Sequence, residues 1–150
     1  MRPAAMSGPG DLSIRLARPE ERDELEELQR RASLALAEYR DDLEAHADAI
    51  HLPQEQLDRG AVFVAELEGR PVGFAALDGP ELDGLFVEPG LWRRGIGRML
   101  VEAATHEARR RGLSLTVLGN PSARKFYERC GFVAEGTEQT RFGSGLRMSR

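Results

Sequence analysis

Residues 85–98, LFVEPGLWRRGIGR, and residues 120–132, NPSARKFYERCGF, decide the fold of this chain. The first stretch predicts a strand that runs into a glycine turn, whose backbone amides open a helix. The second stretch predicts a short helix that carries a tyrosine and ends at a glycine. Because an arginine-flanked helix start attracts phosphate groups, the pair predicts a site for a phosphorylated carrier with a proton donor beside it.

The length and composition indicate an ordinary globular domain. A chain of 150 residues fits one domain with a buried core. Residues 1–12 are rich in Gly, Pro, Ala and Ser and are predicted to be disordered, which leaves residues 13–150 as the single domain. No run approaches the ~18 apolar residues of a membrane span and no signal-peptide core is visible, so we expect a cytoplasmic protein without membrane contact. One cysteine, Cys130, and three histidines without ligand spacing predict no metal.

The charges are unevenly distributed along the chain. Between Pro19 and Asp58 there are 13 acidic residues against 4 arginines, whereas between Trp92 and Arg129 there are 9 basic residues against 3 acidic ones. Solvated helix faces would explain either segment. Two ligands of opposite charge, an anion on the second segment and a cation near the first, would explain both. Nucleic acid is disfavoured as a partner, because the basic residues lack interleaved exposed aromatic residues.

The hydrophobic periodicity predicts a mixed α/β domain (α+β in some schemes). Strands are predicted at residues 13–17, 61–67, 71–77, 81–87, 113–118, 132–138 and 145–149, and helices at residues 18–36, 96–111 and 121–129. The acidic segment 39–60 is predicted to be rich in loops, with a short helix up to His51 that is broken at Pro53, and to border a ligand. This order of elements predicts a single domain around a central sheet.

The glycine turn is the candidate phosphate site. Gly95 and Gly97 allow the backbone to approach a ligand, and Arg93, Arg94 and Arg98 add positive charge. A dinucleotide-binding turn is excluded because Leu100 stands where the third glycine would be, and the Gly-Lys-Ser/Thr of nucleotide triphosphatases is absent.

Both stretches resemble motifs of one enzyme superfamily. The strand 85–87, Pro89 and residues 94–100 resemble motif A of the GCN5-related N-acetyltransferase (GNAT) superfamily. The pattern Asn120-x-x-Ala123-x-x-Phe126-Tyr127-x-x-x-Gly131-Phe132 is similar to its motif B. Trp92 departs from the pattern, which often has Gln or Arg there. The resemblance covers nearly the whole chain from Ser13 onward and implies the GNAT fold, a mixed, mostly antiparallel sheet of about six to seven strands flanked by about four helices.

The resemblance also implies acetyl-CoA as the donor substrate. The backbone near Phe86 and Val87 would pair with the pantetheine arm as an added strand. Asn120 would contact pantetheine, and Arg124 or Lys125 would reach the 3′-phosphate. The pyrophosphate would lie on the residues of the turn, which are Arg93, Arg94, Gly95, Ile96, Gly97 and Arg98.

The catalytic candidates are one tyrosine and two carboxylates. Tyr127 is the candidate general acid, because a phenol with a pKa of about 10 can protonate a departing thiolate. The alternative is a core tyrosine beside Phe126. Glu81 and Asp83 are alternative general bases: they lie two apart on one predicted strand, so both face one way, and each raises the pKa of the other. Both would otherwise be solvent-facing carboxylates or would bind the cation of the substrate.

The remaining residues leave the acceptor open. Cys130 is predicted to be a packing residue, since no activating base is visible, so we expect direct transfer in a ternary complex to a primary amine of a small molecule or peptide. A cationic acceptor is favoured by the acidic residues Glu38, Asp41, Asp42, Glu44 and Asp48, whereas Arg141 could grip a carboxylate, and His46 and His51 are surface candidates. A homodimer is compatible with the resemblance. Two other functions stay open, a non-catalytic acyl-CoA sensor on the same fold and a protein-interaction module that uses the acidic helices.

Overall fold

The chain forms a central sheet that is covered by helices on both faces. The structure is a computed structural model, and it describes residues 7–8, 10–36, 50–140 and 143–150. The strands are β1 (Ser7–Gly8), β2 (Gly10–Leu16), β3 (Val62–Leu67), β4 (Arg70–Asp78), β5 (Glu81–Val87), β6 (Thr116–Gly119), β7 (Val133–Thr140) and β8 (Gly143–Ser149). The α-helices are α1 (Arg22–Leu34), α2 (Gln54–Asp58), α3 (Ile96–Arg110) and α4 (Arg124–Arg129). Short 3₁₀ turns precede α1 and α4 and follow β5, at Pro19–Glu21, Pro121–Ala123 and Pro89–Leu91.

The sheet has the predicted mixed character. Its strand order is β1-β2-β3-β4-β5-β6-β8-β7, and every neighbouring pair is antiparallel except β5 and β6, which are parallel. The fold predicted from the sequence is therefore confirmed, with seven full strands and a two-residue β1. The parallel pair is short: Glu81 is opposite Thr116 and Leu82 is opposite Val117, after which the two strands no longer pair. This divergence opens the middle of the sheet.

Each face of the sheet has its own hydrophobic core. On one face, Leu25 and Leu28 of α1 pack with Leu57 of α2 against Phe74 of β4. On the other face, the apolar side of α3 packs on the sheet, and Leu100 is fully buried there. Burying one apolar face per helix stabilises the layers. The diverging strands β5 and β6 are thereby held between two packed layers.

Several boundaries differ from the sequence-based expectation, among them the start of the strand predicted at 113–118, which begins at Thr116. The strand predicted to begin at Ser13 begins at Gly10, because Leu12 pairs with Leu67 of β3, so residues 10–12 belong to a strand and not to a disordered segment. Pro53 precedes a helix, since it occupies the N-cap of α2 with φ −61° and ψ 133°, whereas the short helix predicted up to His51 lies mostly outside the described residues. Proline is well tolerated at a helix start, where its missing N–H has no partner to lose.

Several predicted acceptor residues fall outside the part of the chain that the structure describes. These are Glu38, Asp41, Asp42, Glu44, His46, Asp48 and Arg141. His51 is described and is exposed, with its Nδ1 3.6 Å from Glu26, which places it as a surface residue. In the described ranges no helix has the length and apolar character of a membrane span.

Candidate active site

The divergence of β5 and β6 forms a cleft of about 960 Å³. Both strands line it, together with the C-terminal part of α1, the turn before α3, and α4. Of the site residues predicted from the sequence, the cleft is lined by Asp83, Phe86, Val87, Arg93, Gly95, Gly97, Arg98, Asn120 and Tyr127. The others, Glu81, Arg94, Ile96, Arg124 and Lys125, are outside its lining. The fold thus brings the two motifs together on opposite walls of one cleft.

The edge of β5 offers backbone groups to this cleft. Glu88 N–H donates to Val72 O at 2.8 Å, and Phe86 is opposite Phe74 in the antiparallel register. Because hydrogen-bonded and non-bonded pairs alternate along an antiparallel ladder, the amides and carbonyls of Leu85 and Val87 point away from β4, toward the cleft. The backbone groups available on this edge are therefore those of Leu85 and Val87, whereas Phe86 lines the cleft with its side chain.

Trp92 occupies one of these backbone positions. Its indole Nε1 donates to Val87 O at 2.7 Å, and its side chain lines the cleft. Trp92, which departs from the motif A pattern, thus links the glycine turn to the end of β5 through this hydrogen bond. Since it is the only tryptophan in the chain, its fluorescence reports directly on this site.

The glycine turn has the backbone geometry of an anion site. Gly95, the N-cap of α3, has φ +85°, and Arg93 has φ +66°, which is uncommon for a residue with a side chain. No acidic residue lies in the first turn of α3, so the positive end of its dipole faces the cleft beside Arg98. Ile96 is buried in the core, with 3% of its surface exposed.

The basic residues of α4 differ from the prediction. Arg124 is bonded to Glu128 through its Nε at 3.0 Å, and neither Arg124 nor Lys125 lines the cleft. Arg129 does line it, and so does Cys130. Arg129, at the end of this six-residue helix, was not among the residues predicted from the sequence, which were chosen at the start of the helix.

Asn120 has a structural role as well as a place in the cleft. Its Oδ1 accepts from Ser122 N–H at 2.8 Å, which caps the turn leading into α4 as predicted. The cap fixes the start of the segment that carries Tyr127.

Tyr127 is held by aromatic packing at the wall of the cleft. Its ring meets Phe126 and Phe132 edge to face, with centroid distances of 5.1 and 5.4 Å, and 8% of its surface is exposed. The tyrosine is packed in the core, as the alternative interpretation expects, and it also lines the cleft, while its role as the acid stays a prediction. Its ring lies against Gly119 of β6, where a Cβ would stand 3.0 Å from Tyr127 Cε2.

Gly119→Ala is expected to displace the Tyr127 ring. The added methyl overpacks this contact, which typically costs about 1–3 kcal/mol of stability, and we expect kcat to fall about tenfold as the hydroxyl leaves its position. Gly90→Ala is the control, because a Cβ there meets nothing within 4 Å. Steady-state kinetics and thermal melts of both variants provide the measurement, and an unchanged kcat in Gly119→Ala would show that the ring position does not matter.

The two candidate bases have different surroundings. Leu82 packs into the α3 core, so Glu81 and Asp83 on either side of it share the opposite face, as the alternation predicts. Glu81 accepts from Arg147 Nη1 at 2.7 Å and lies outside the cleft lining. Asp83 lines the cleft and has no partner across the sheet, because β4 pairs Leu77 with Leu82 and Ala76 with Gly84. Asp83 is therefore the extra residue of a β-bulge, a feature that re-aims side chains at functional sites.

The environment of Asp83 favours a proton acceptor that works nearer neutral pH. Desolvation by the surrounding protein raises the pKa of Asp83 above its ordinary value, and the nearby Asp78 and Glu81 raise it further, while a hydrogen bond from Gln56 opposes the change.

Cys130 is a buried side chain of the cleft wall, with 4% exposed. Burial raises the pKa of its thiol, which keeps it protonated and weakly nucleophilic. The interpretation as a packing residue agrees with this environment. Among the described residues, no group of three or more His, Cys, Asp or Glu side chains is arranged to hold a metal ion.

Comparison with known proteins identifies the family. A family profile described as "Acetyltransferase (GNAT) family" matches residues 22–132, a range that contains both walls of the cleft. The chain belongs to the GNAT acetyltransferase family. This membership confirms the resemblance seen in the sequence, makes the protein an acyltransferase and makes acetyl-CoA its donor substrate.

One relative, YjaB, is similar to this GNAT protein over most of both chains, in sequence and in structure. The peptidyl-lysine N-acetyltransferase YjaB of Escherichia coli (strain K12) is 34% identical over 134 residues, which cover 85% of this chain and 86% of YjaB. The solution structure of apo YjaB from Escherichia coli has a TM-score of 0.69 at 32% identity, covering 92% of this chain and 96% of the other. A second protein, yncA from Salmonella typhimurium with its cofactor acetyl-CoA, shares the fold with a TM-score of 0.68 at 18% identity, covering 93% and 92% of the two chains.

Proposed function

We propose that this GNAT protein transfers the acetyl group of acetyl-CoA to the side-chain amine of a lysine in a peptide or protein. Asp83 is the general base and Tyr127 is the general acid. The observation that carries the proposal is that the two residues line one cleft, between strands that diverge beside the glycine turn. The lysine acceptor is supported by the full-length similarity to an enzyme named for peptidyl-lysine acetylation.

The acceptor end of the cleft suits a lysine side chain. Ala32, Ser33 and Leu36 of the α1 region and the ring of Phe86 line it, which gives a largely apolar wall for an aliphatic chain. Asp83 is the only acidic side chain among the described lining residues, and it would attract the ammonium group. The cationic lining residues Arg93, Arg98 and Arg129 belong to the glycine turn, α3 and α4, which fits an anionic carrier at the other end.

The proposed reaction is a direct displacement. Asp83 takes a proton from the lysine ammonium, and the neutral nitrogen attacks the thioester carbonyl to form the C–N bond. A backbone N–H on the cleft edge of β5 donates to the carbonyl oxygen as negative charge develops there. The C–S bond then breaks, and the departing thiolate takes the proton of the Tyr127 hydroxyl. The nitrogen of the new amide loses its second proton to solvent, and solvent restores the Tyr127 hydroxyl. Positioning both substrates in one cleft supplies much of the rate enhancement.

An acceptor panel tests the proposal. We expect acetyl-CoA-dependent thiol release with an Nα-acetylated peptide that contains one lysine, and none with the same peptide carrying arginine in place of lysine. Turnover with a free amino acid, an aminoglycoside or an N-terminal amine, but not with the lysine peptide, would replace the acceptor and leave the donor site standing. Binding of acetyl-CoA without turnover on any amine would support the sensor alternative instead.

Arg98→Ala is expected to weaken acetyl-CoA binding. Losing a charge-assisted contact of about 1.5–3 kcal/mol to a phosphate raises Kd about tenfold or more. Arg109→Ala is the matched control, an exposed arginine near the other end of the same helix. Quenching of Trp92 fluorescence during titration measures both Kd values. Equal affinities in the two variants would remove Arg98 from the phosphate site.

A further inference from the structure

Gln56 is a buried polar residue beside the cleft that the sequence did not indicate. It lies on α2, the helix that begins after Pro53, and only 4% of its surface is exposed. Its Nε2 donates to Leu77 O at 3.0 Å and, in a longer hydrogen bond of 3.4 Å, to Asp83 Oδ2. One amide group thus contacts both strands at the same place.

That place is the β-bulge of β5. The register between β4 and β5 shifts between Ala76 and Leu77, and Asp83 is the residue left without a partner. Gln56 bonds one residue on each side of this irregularity, the carbonyl of Leu77 and the side chain of Asp83. A bulge leaves its extra residue free to adopt more than one orientation, so a side chain that bonds across it selects one.

The other half of the Gln56 amide argues against a purely stabilising role. In the described structure its Oε1 is buried and has no hydrogen-bond partner. A buried oxygen of this kind costs about 1–3 kcal/mol of folding free energy. A methionine of similar length would fill the same space without that cost. Glutamine therefore contributes at this position through the hydrogen bonds that its NH₂ group donates to Leu77 O and Asp83.

Charged groups surround Asp83 on several elements. Asp78 of β4 and Glu81 of β5 are negative and disfavour ionisation of Asp83, whereas Gln56 of α2 favours it. Two arginines are nearby but engaged: Arg59 lies 3.6 Å from Asp78, and Arg147 of β8 is bonded to Glu81. Gln56 is thus the neutral group that bonds the carboxylate directly.

We propose that Gln56 is a positioning residue that holds the Asp83 carboxylate in the orientation and charge state needed to accept a proton. The inference rests on the proposed function, in which Asp83 is the base. It assigns a role in the acetyl-transfer step to the short helix α2, because Gln56 on this helix bonds Asp83, which lines the cleft.

The test compares Gln56→Met with Gln54→Met. Gln54 is on the same helix and bonds Pro19 O and Asp58, so its variant removes an equivalent amide without touching Asp83. Loss of the Gln56 hydrogen bond raises the pKa of Asp83. The acid limb of the pH–rate profile should therefore move to higher pH. At saturating substrates we expect kcat of Gln56→Met to fall at least about threefold on the acid limb of the wild-type profile and to approach the wild-type value on the alkaline plateau, with KM for acetyl-CoA unchanged. Gln54→Met should follow the wild-type profile at every pH.

The outcomes separate the inference from the function on which it rests. A Gln56→Met profile that scales down equally at all pH values would indicate a merely structural role and overturn the inference. Full activity in Asp83→Asn would overturn the proposed base instead, whatever Gln56 does.

A measurement on the unmodified protein covers the case in which Gln56→Met does not fold. The side-chain NH₂ resonances of Gln56, followed by nuclear magnetic resonance across pH, should titrate with the same midpoint as the acid limb of kcat. This titration should disappear in Asp83→Asn. Resonances of Gln56 that stay constant in the wild type through the acid limb would contradict the proposed contact.

Discussion

Tyr127→Phe is expected to lower kcat about a hundredfold or more while acetyl-CoA still binds. The phenylalanine keeps the ring, so the edge-to-face contacts with Phe126 and Phe132 and the packing on Gly119 remain. Only the hydroxyl is lost, and with it the proton for the departing thiolate. Steady-state kinetics with a lysine peptide measures kcat, and the fluorescence of Trp92 measures acetyl-CoA affinity.

The pattern of the loss identifies the role. An acid that acts in the chemical step lowers kcat and leaves the Kd of acetyl-CoA within about twofold. Weaker binding of acetyl-CoA with kcat retained would indicate that Tyr127 only lines the cleft and is not the acid. Because the variant conserves ring volume, its melting temperature should stay close to that of the wild type.

Asp83→Asn is expected to remove the acid limb of the pH–rate profile and to lower kcat by about two orders of magnitude at neutral pH. The pKa of Asp83 is raised, so in the wild type kcat should increase with pH through a value above the ordinary range of aspartate. Below that value the carboxyl is protonated and cannot accept the ammonium proton. The asparagine variant has no such group, so its remaining activity should show no matching limb.

Glu81→Gln is the matched control for this substitution. It neutralises the neighbouring carboxylate, which is bonded to Arg147 and lies outside the cleft lining. We expect its kcat to change by less than about threefold, since it removes an ion pair at the rim and not a reacting group. If Glu81→Gln lost the acid limb and Asp83→Asn kept it, the roles of the two carboxylates would be reversed.

The residues that the sequence identified correctly are those with a local signal. The glycine turn, the helix of motif B and the tyrosine on it follow from dihedral preferences, caps and motif spacing, and each is present in the structure. The turn at Glu68 and Gly69, with positive φ at both residues, is a local feature of the same kind. These features depend on a few adjacent residues, which is why one sequence suffices to predict them.

The parts that the sequence missed depend on contacts between distant segments. The bulge at Asp83 is a mismatch between two strands, and neither strand shows it alone. Gln56 lies 27 positions from Asp83 in the sequence, on a short helix that begins directly after Pro53. The choice between Glu81 and Asp83 likewise depends on Arg147, which β8 brings to Glu81. Such pairings follow from tertiary packing, which overrides local patterns.

Mass spectrometry of the enzyme and the acceptor during a single turnover tests the central claim most directly. The enzyme, loaded with isotopically labelled acetyl-CoA, is mixed with an Nα-acetylated peptide that has one lysine, and the reaction is quenched at successive times. We predict that one labelled acetyl group appears on the lysine of the peptide and that none accumulates on the enzyme at any time. A labelled acetyl group on Cys130 that forms and decays at the rate of turnover, or a peptide that stays unlabelled, would contradict direct transfer from acetyl-CoA to lysine.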